Sequence, residues 1–294
     1  MEKLHYNRSA GYYHICSDGN FSSCIFQTEE DFKAAMNRVA VCAFKTGVVI
    51  VAFVLMDNHF HFEVYAKDYE SCVRFANEFK RMTGQYIASQ GGGRNALVSL
   101  PVQVIPVEDE DYVRALLCYI IKNPTKARVA MFYEYRWGTG SLYFRSFPCQ
   151  GAAVYRVGDL SVDERRRRFR TKVKIPGDWI VSDGVILPQN YVPVKAVEDL
   201  FKTPRSFMYF LSLNKDDEME KDMGDWHELF MKDSELRSLR DEMIMPMFGK
   251  GRLRDLSVDE RLQLAKSLRY KYQCSRKQLA RVVQLPYDQL KDRI

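Results

Sequence analysis

The chain has 294 residues, of which 46% are hydrophobic and 28% charged, a composition that excludes a disordered or fibrous protein. At about 150 residues per domain, this length predicts two domains. Seven scattered cysteines without a C-x-x-C pair argue against a disulfide framework or a zinc ribbon. The longest apolar run, 48–56, is too short to cross a bilayer, and no secretory signal is recognisable, so we expect a cytoplasmic protein with reduced thiols.

The net charge of +6 is concentrated near the C-terminus, where residues 261–294 carry +7. A second basic run, 165–174, contains no acidic residue. Such clusters are typical of proteins that bind polyanions. A solvated helix face explains either cluster alone equally well.

Three stretches differ in character: 1–150, 151–250 and 251–294. The first is rich in strand-forming and aromatic residues, the second is predicted to be mixed but mostly helical, and the third is basic and helical. The motif L-S-V-D-E-R occurs at 160–165 and again at 256–261. Each copy places serine three residues before glutamate, which predicts a helix that begins with a capping box.

Hydrophobic periodicity and turn residues predict seven elements in the first stretch. In chain order they are a strand at 12–16, a helix at 28–45, strands at 48–55 and 59–65, a helix at 68–89, a strand at 102–107, and a helix at 108–122 that Asn123 and Pro124 end. This order predicts an α+β fold with a ferredoxin-like, split βαβ antiparallel sheet. Helices on one face would leave the other face free for a ligand, and the third helix can pack across it.

The sharpest chemical feature is His59-Phe60-His61. Alternation along a strand sends His59, His61 and Glu63 to one face, so that two imidazoles stand side by side. Both can then reach one divalent cation. Two ordinary surface histidines remain the alternative, because an isolated H-x-H pattern is weakly specific.

Tyr119 and Asn123 form a second feature. At a spacing of four residues they lie on one face of the third helix, so a phenol and an amide project together toward the histidines. The alternative is that Tyr119 belongs to a core stripe with Tyr112 and that Asn123 only ends the helix.

Four ordered segments resemble the single-tyrosine HUH transposases, in particular the REP-associated tyrosine transposases. Residues 55–62, L-M-D-N-H-F-H-F, are similar to the histidine hairpin of that family, and 119–127, Y-I-I-K-N-P-T-K-A, to its tyrosine segment. The opening strand at 12–20 and the stretch Y-R-W-G-T-G-S at 135–141 are similar to two further family motifs.

The resemblance implies that His59 and His61 ligate Mg²⁺ or Mn²⁺, that Tyr119 is the nucleophile, and that Asn123 is a polar helper near the metal. It implies nicking and rejoining of single-stranded DNA near hairpin-forming repeats through a 5′-phosphotyrosine. Whether one chain or a homodimer completes the active site is left open. A replication initiator or relaxase with the same site, and a domesticated DNA-binding repressor that does not cut, are the alternatives.

The basic tail is similar to a helix-turn-helix, with helices predicted at 276–283 and 287–294. A small bundle that docks on the rest of the chain explains it about as well. Six cations are predicted to contact nucleic acid: Lys122, Lys126, Arg128, Arg276, Lys277 and Arg281.

Overall fold

The structure, a computed structural model, describes residues 10–17, 24–91, 97, 100–107, 109–145, 154–213, 233–272, 276–290 and 293. Packing divides the chain into two compact units, Met1–Lys215 and Asp216–Ile294. The three regions predicted from the sequence, with boundaries at residues 150 and 250, stay a prediction. Within the described ranges, no helix is long and apolar enough to cross a membrane.

The first unit is built on a four-stranded antiparallel sheet in the order β2-β3-β1-β4. The strands are β1 (Gly11–Ser17), β2 (Val49–Leu55), β3 (Phe60–Ala66) and β4 (Val102–Val107), and the helices between and after them are α1 (Glu29–Thr46), α2 (Tyr69–Ser89) and α3 (Glu110–Lys126). The α+β class and the antiparallel sheet are therefore confirmed.

Helices α1 and α2 begin where the sequence predicts. Thr28 caps α1 in a capping box with Asp31, and Asp68 caps α2 by accepting from the Ser71 N–H. On the face that α2 covers, the Phe62 ring packs against Phe75, with centroids 5.1 Å apart. This contact belongs to the aromatic core between the sheet and α2.

The opposite face, predicted to be free for a ligand, is partly covered by α3. Apolar residues along α3, including Leu116 and Ile120, are fully buried, and burying them is the main driving force for covering the sheet. As a result His61 and Glu63 of β3 are buried as well. The prediction of an open face is wrong at the centre of the sheet, whereas the predicted crossing of the third helix is observed.

The predicted end of the third helix at Asn123 and Pro124 is wrong, because α3 continues to Lys126. Proline lacks an N–H, so Pro124 cannot bond the carbonyl of Ile120. The Asn123 side chain compensates: its Nδ2 donates to Tyr119 O at 3.0 Å and to Ile120 O at 3.3 Å. The Asn123 amide thus keeps the helix intact and is itself fixed in one orientation.

The middle region, predicted as mostly helical, also contains an antiparallel sheet in the order β5-β6-β7. Its elements are β5 (Val154–Arg156), α4 (Val162–Phe169), β6 (Ile180–Ser182), β7 (Val185–Ile186), α5 (Val194–Phe201) and α6 (Pro204–Ser212). Ser161 and Glu164 form the predicted capping box of α4. Asn37 of α1 binds this sheet by accepting from Ile186 N at 2.8 Å and donating to Gly184 O at 2.9 Å.

The second unit is helical over its described residues. It comprises α7 (Asp233–Phe248), α8 (Val258–Tyr272), α9 (Arg276–Val283) and α10 (Tyr287–Leu290). Leucines and valines of α8 and α9, among them Leu264, Leu268, Leu279 and Val282, form its core. Ser257 Oγ accepts from Glu260 N at 3.3 Å, as the second L-S-V-D-E-R motif predicts.

Gly138 sets how closely the 135–141 stretch approaches β2. A Cβ added at this position would lie 2.7 Å from Phe53 O. Because backbone cannot move aside cheaply, Gly138→Ala is expected to lower the free energy of unfolding by about 1–3 kcal/mol. Gly11→Ala is the control, since nothing lies within 4 Å of its added Cβ. Urea denaturation checks both, and equal stability of the two variants would contradict the close packing of Gly138 against Phe53 O.

Candidate metal and nucleophile site

A tight hairpin between β2 and β3 presents the two predicted histidines. The Met56 N–H donates to His59 O at 2.8 Å and closes the turn. Beyond it, His61 lies opposite Cys16 of β1 and Val54 of β2. His59 is half-buried at the end of the sheet, whereas His61 is only 5% exposed.

His59 meets the predicted helper residue Asn123. The short contact of 2.7 Å between His59 Nδ1 and Asn58 Oδ1 makes Nδ1 a donor, because an amide oxygen only accepts. In the tautomer protonated on Nδ1 alone, Nε2 carries a lone pair and faces Asn123 Oδ1 at 3.4 Å. The Asn123 amide cannot rotate to present its Nδ2 without losing its bonds to the α3 backbone. Two lone pairs that face each other repel, unless a proton on His59 Nε2 or a cation bound by both atoms lies between them.

His61 contacts a third histidine, His14, for which the sequence predicted no role. His14 Nε2 and His61 Nδ1 lie 3.0 Å apart in the buried space between β1 and β3. If His61 Nδ1–H donates to His14, its Nε2 keeps the lone pair that a metal ligand needs. The reverse tautomer would leave His61 unable to ligate through Nε2. His14 therefore determines whether His61 can act as predicted.

Burial keeps both of these imidazoles neutral. Loss of solvent lowers the pKa of His14 to about 3. It also lowers the pKa of His61 well below its usual value, with smaller contributions from His14, His59 and Lys126. Neutral imidazole is the form that binds a metal.

The phenol of Tyr119 reaches the same place from α3. Its ring stands perpendicular to that of His61, with centroids 5.5 Å apart, and Tyr119 is 5% exposed. The ammonium of Lys126 lies 4.6 Å from the Tyr119 centroid. The structure thus brings together His59 with Asn123, and His61 with Tyr119.

Ligand atoms of His14, Cys16 and His61 all lie within 4.8 Å of one another, close enough to hold a metal ion. This set is not the predicted pair of His59 and His61. A thiol and two imidazoles suit a soft ion such as zinc, whereas the nitrogen and oxygen donors around His59 suit a harder one such as Mn²⁺. Alternation along β1, which places His14 and Cys16 on one face, was the available signal for this cluster.

Glu63 of β3 lies opposite His14 of β1, on the same face of the sheet as His61. It is fully buried, and neither carboxyl oxygen has a hydrogen-bond partner among the described residues. Burial raises the pKa of Glu63 well above its usual value, which favours the neutral form of the carboxyl group.

The six predicted nucleic-acid cations have different surroundings. Lys126, Arg128 and Arg281 are exposed, and Lys122 Nζ donates to Leu213 O at 3.0 Å. The side chains of Arg276 and Lys277 lie outside the described residues. Contact of these six residues with nucleic acid stays a prediction.

Comparisons with known proteins give one distant structural likeness. No family model matches the chain, and no curated protein matches it in sequence. Among solved structures, a REP-associated tyrosine transposase bound to a REP hairpin is similar at a TM-score of 0.35 and 12% identity, over 47% of this chain and 81% of that one. This likeness is too distant to support an argument about function.

Removing His14 should test its role in preparing His61. We expect His14→Ala to weaken Mn²⁺ binding by about 10–100-fold, the usual cost of losing a residue that orients a metal ligand. Calorimetric titration measures this, with the melting temperature as a folding control. Cys16→Ser is the comparison and should change Mn²⁺ affinity by less than about 3-fold. Co-purified zinc that Cys16→Ser loses would instead place the ion among His14, Cys16 and His61.

Proposed function

We propose that the first unit is a divalent-cation-dependent endonuclease of the HUH tyrosine transposase kind. It nicks and rejoins single-stranded DNA on a ferredoxin-like sheet. The observation that carries this proposal is the convergence of Tyr119 and Asn123, one helical turn apart on α3, on His61 and His59 of one hairpin. A nucleophile and candidate metal ligands thereby come from two elements that the fold holds together.

In the proposed reaction, the Tyr119 oxygen attacks the phosphorus of a DNA phosphodiester. A bond forms between that oxygen and phosphorus, and the bond from phosphorus to the 3′ oxygen breaks. The phenolic proton leaves, and the departing oxygen takes up a proton to become a free 3′-hydroxyl. The 5′-phosphotyrosine conserves the bond energy, so rejoining is the reverse step and needs no ATP.

Each residue has a part in this reaction. His59 Nε2, His61 Nε2 and Asn123 Oδ1 would hold Mg²⁺ or Mn²⁺, which when bound polarises a phosphoryl oxygen as a Lewis acid. His14 keeps His61 in the tautomer that can ligate. Lys126, beside the Tyr119 ring, offsets the negative charge of the approaching phosphate.

Hairpin-forming or inverted-repeat DNA is the proposed partner. The basic tail, with Arg276, Lys277 and Arg281 in a helix-turn-helix-like arrangement, would add affinity through phosphate contacts. Lys122 and Arg128 flank the tyrosine segment in the same role. A homodimer whose partner chain completes the site belongs to the same proposal.

A DNA-binding protein that does not cut is the second candidate. The 5% exposure of Tyr119 favours it, because a nucleophile has to meet its phosphate. Incubation with Mn²⁺ and end-labelled single strands separates the two. A DNA adduct that survives denaturation and is absent with EDTA supports the nuclease, whereas binding without any adduct supports the second candidate.

A further inference from the structure

The first unit also contains a basic cleft of about 990 Å³, between α1, the 136–142 stretch and the segment from α4 to β7. We call it the arginine cleft. Five cations line it against two carboxylates, Glu30 and Asp183. The cations are Lys33, Arg136, Arg167, Arg168 and Arg170.

The cations of the arginine cleft fall into two groups. Arg136 and Lys33 both pair with Asp183, at 2.9 and 3.2 Å. In contrast, Arg167 and Arg168 have no salt bridge with any described acidic side chain. The Arg168 guanidinium lies 5.6 Å from the centroid of the Tyr155 ring, and a Cβ on Gly184 would be 3.3 Å from Arg168 Nη1. The wall formed by α4 thus carries two guanidinium groups that form no salt bridge within the described residues, although the carboxylate of Glu164 on the same helix interacts electrostatically with both.

A buried guanidinium next to the cleft adds to this excess. Arg38 is 4% exposed and lies over the ring of Tyr86, at 4.4 Å, and Tyr86 lines the cleft. Arg38 Nη1 has no hydrogen-bond partner among the described residues. Burial lowers the pKa of Arg38 to about 10, and the charge of Arg170 contributes to that shift. An anion beside Arg170, which lines the cleft, would offset the repulsion between Arg170 and Arg38.

Polar groups on the floor of the cleft also await partners. Tyr155 and Gln189 line the cleft, and the Tyr155 hydroxyl and Gln189 Oε1 are buried without a hydrogen-bond partner among the described residues. Buried polar atoms are nearly always satisfied in native proteins. A rotation of these side chains toward the cleft would let a ligand with hydrogen-bonding edges as well as negative charge satisfy both.

We propose that the arginine cleft binds single-stranded DNA that flanks the phosphodiester cut at Tyr119, an inference that rests on the proposed nuclease function. Unpaired bases offer edges to Tyr155 and Gln189 and faces to aromatic rings, while the backbone meets the arginines. A duplex keeps the Watson–Crick edges of its bases paired and so cannot offer them to these residues. The cleft also adjoins the histidine hairpin: Trp137, in its wall, accepts from the Leu55 N–H at 2.8 Å, and Leu55 is four residues before His59.

Fluorescence anisotropy with a labelled oligothymidine in EDTA measures this binding without cleavage. We expect Arg167→Ala/Arg168→Ala to raise Kd at least about 10-fold and to reduce the slope of log K against log salt by about 1.4, for two lost phosphate contacts. The matched control is Arg166→Ala/Arg205→Ala, which removes the same charge at exposed residues that do not line the cleft. Its Kd should change less than about 2-fold at physiological salt.

Three results would overturn the inference: no change in the cleft variant, an equal loss in the control variant, or an equal loss for duplex DNA. Since the assay needs no adduct, the failure of either idea can be recognised separately. If an adduct forms but the cleft variant binds DNA as tightly as the unaltered chain, only the proposal for the arginine cleft fails. If no adduct forms but the cleft variant binds DNA more weakly, only the proposed nuclease activity fails.

Photocrosslinking of the unaltered protein to iodouridine-substituted single strands avoids any effect of substitution on folding. Aromatic side chains beside a base capture the excited pyrimidine, so the label should map to Tyr155, Tyr86 or Trp137. Label confined to the second unit would contradict the proposal.

Discussion

Tyr119→Phe is expected to abolish the covalent DNA adduct, lowering its rate of formation by at least about 10³-fold, because the attacking oxygen is removed. Phenylalanine keeps the ring, and with it the perpendicular contact with His61 and the position under Lys126. Affinity for DNA should therefore stay within about 2-fold, since phosphate contacts from lysine and arginine dominate it. Denaturing electrophoresis of labelled single strands with Mn²⁺ measures the adduct, and anisotropy measures the binding.

Tyr112→Phe is the matched control on the same helix. Tyr112 is half-buried near the start of α3, two turns before Tyr119, and its hydroxyl has no part in the proposed reaction. Its adduct yield should equal that of the unaltered chain. An adduct that persists in Tyr119→Phe would remove Tyr119 from the mechanism.

His59→Ala is expected to lower cleavage by at least about 100-fold and to leave hairpin binding largely intact. The substitution removes Nε2, one of the two atoms that face each other at 3.4 Å, so the cation loses a ligand. His61→Ala should lose cleavage as well. Because His61 is buried against His14, this variant should also be less stable, and its melting temperature has to be measured alongside.

Asp57→Ala provides the control for His59, since Asp57 is exposed in the same turn. Its backbone carbonyl accepts from Ile25 N–H and Phe26 N–H, and the substitution keeps that carbonyl. Asp57→Ala should cleave at the rate of the unaltered chain. Full cleavage by His59→Ala would show that the hairpin histidines are not metal ligands.

Local sequence signals predicted the elements of the first unit well. Thr28 and Asp68, two residues with strong capping preferences, mark the starts of α1 and α2, and strand alternation placed His61 and Glu63 on one face. The capping boxes at Ser161 and Ser257 follow from the same local chemistry. Such features depend only on residues a few positions away along the chain. They can therefore be predicted from the sequence without knowledge of the tertiary structure.

Features that depend on distant residues were not predictable in this way. Pro124 marked the end of a helix by local rules, yet the Asn123 amide satisfies the carbonyl of Ile120 that proline leaves without a donor. The pairing of His14 with His61 needs the register of β1 against β3, which no local pattern supplies. The arginine cleft likewise forms only when α4 and β7 pack beside α1.

Mapping the DNA attachment point tests the central claim most directly. The unaltered protein is incubated with Mn²⁺ and a single strand that carries a hairpin, digested with nuclease and trypsin, and analysed by mass spectrometry. Trypsin should release residues 115–122, A-L-L-C-Y-I-I-K, as one peptide. We predict a nucleotide remnant on Tyr119 of this peptide. A remnant on any other residue, or binding to DNA with no covalent product at all, would contradict the proposed nuclease.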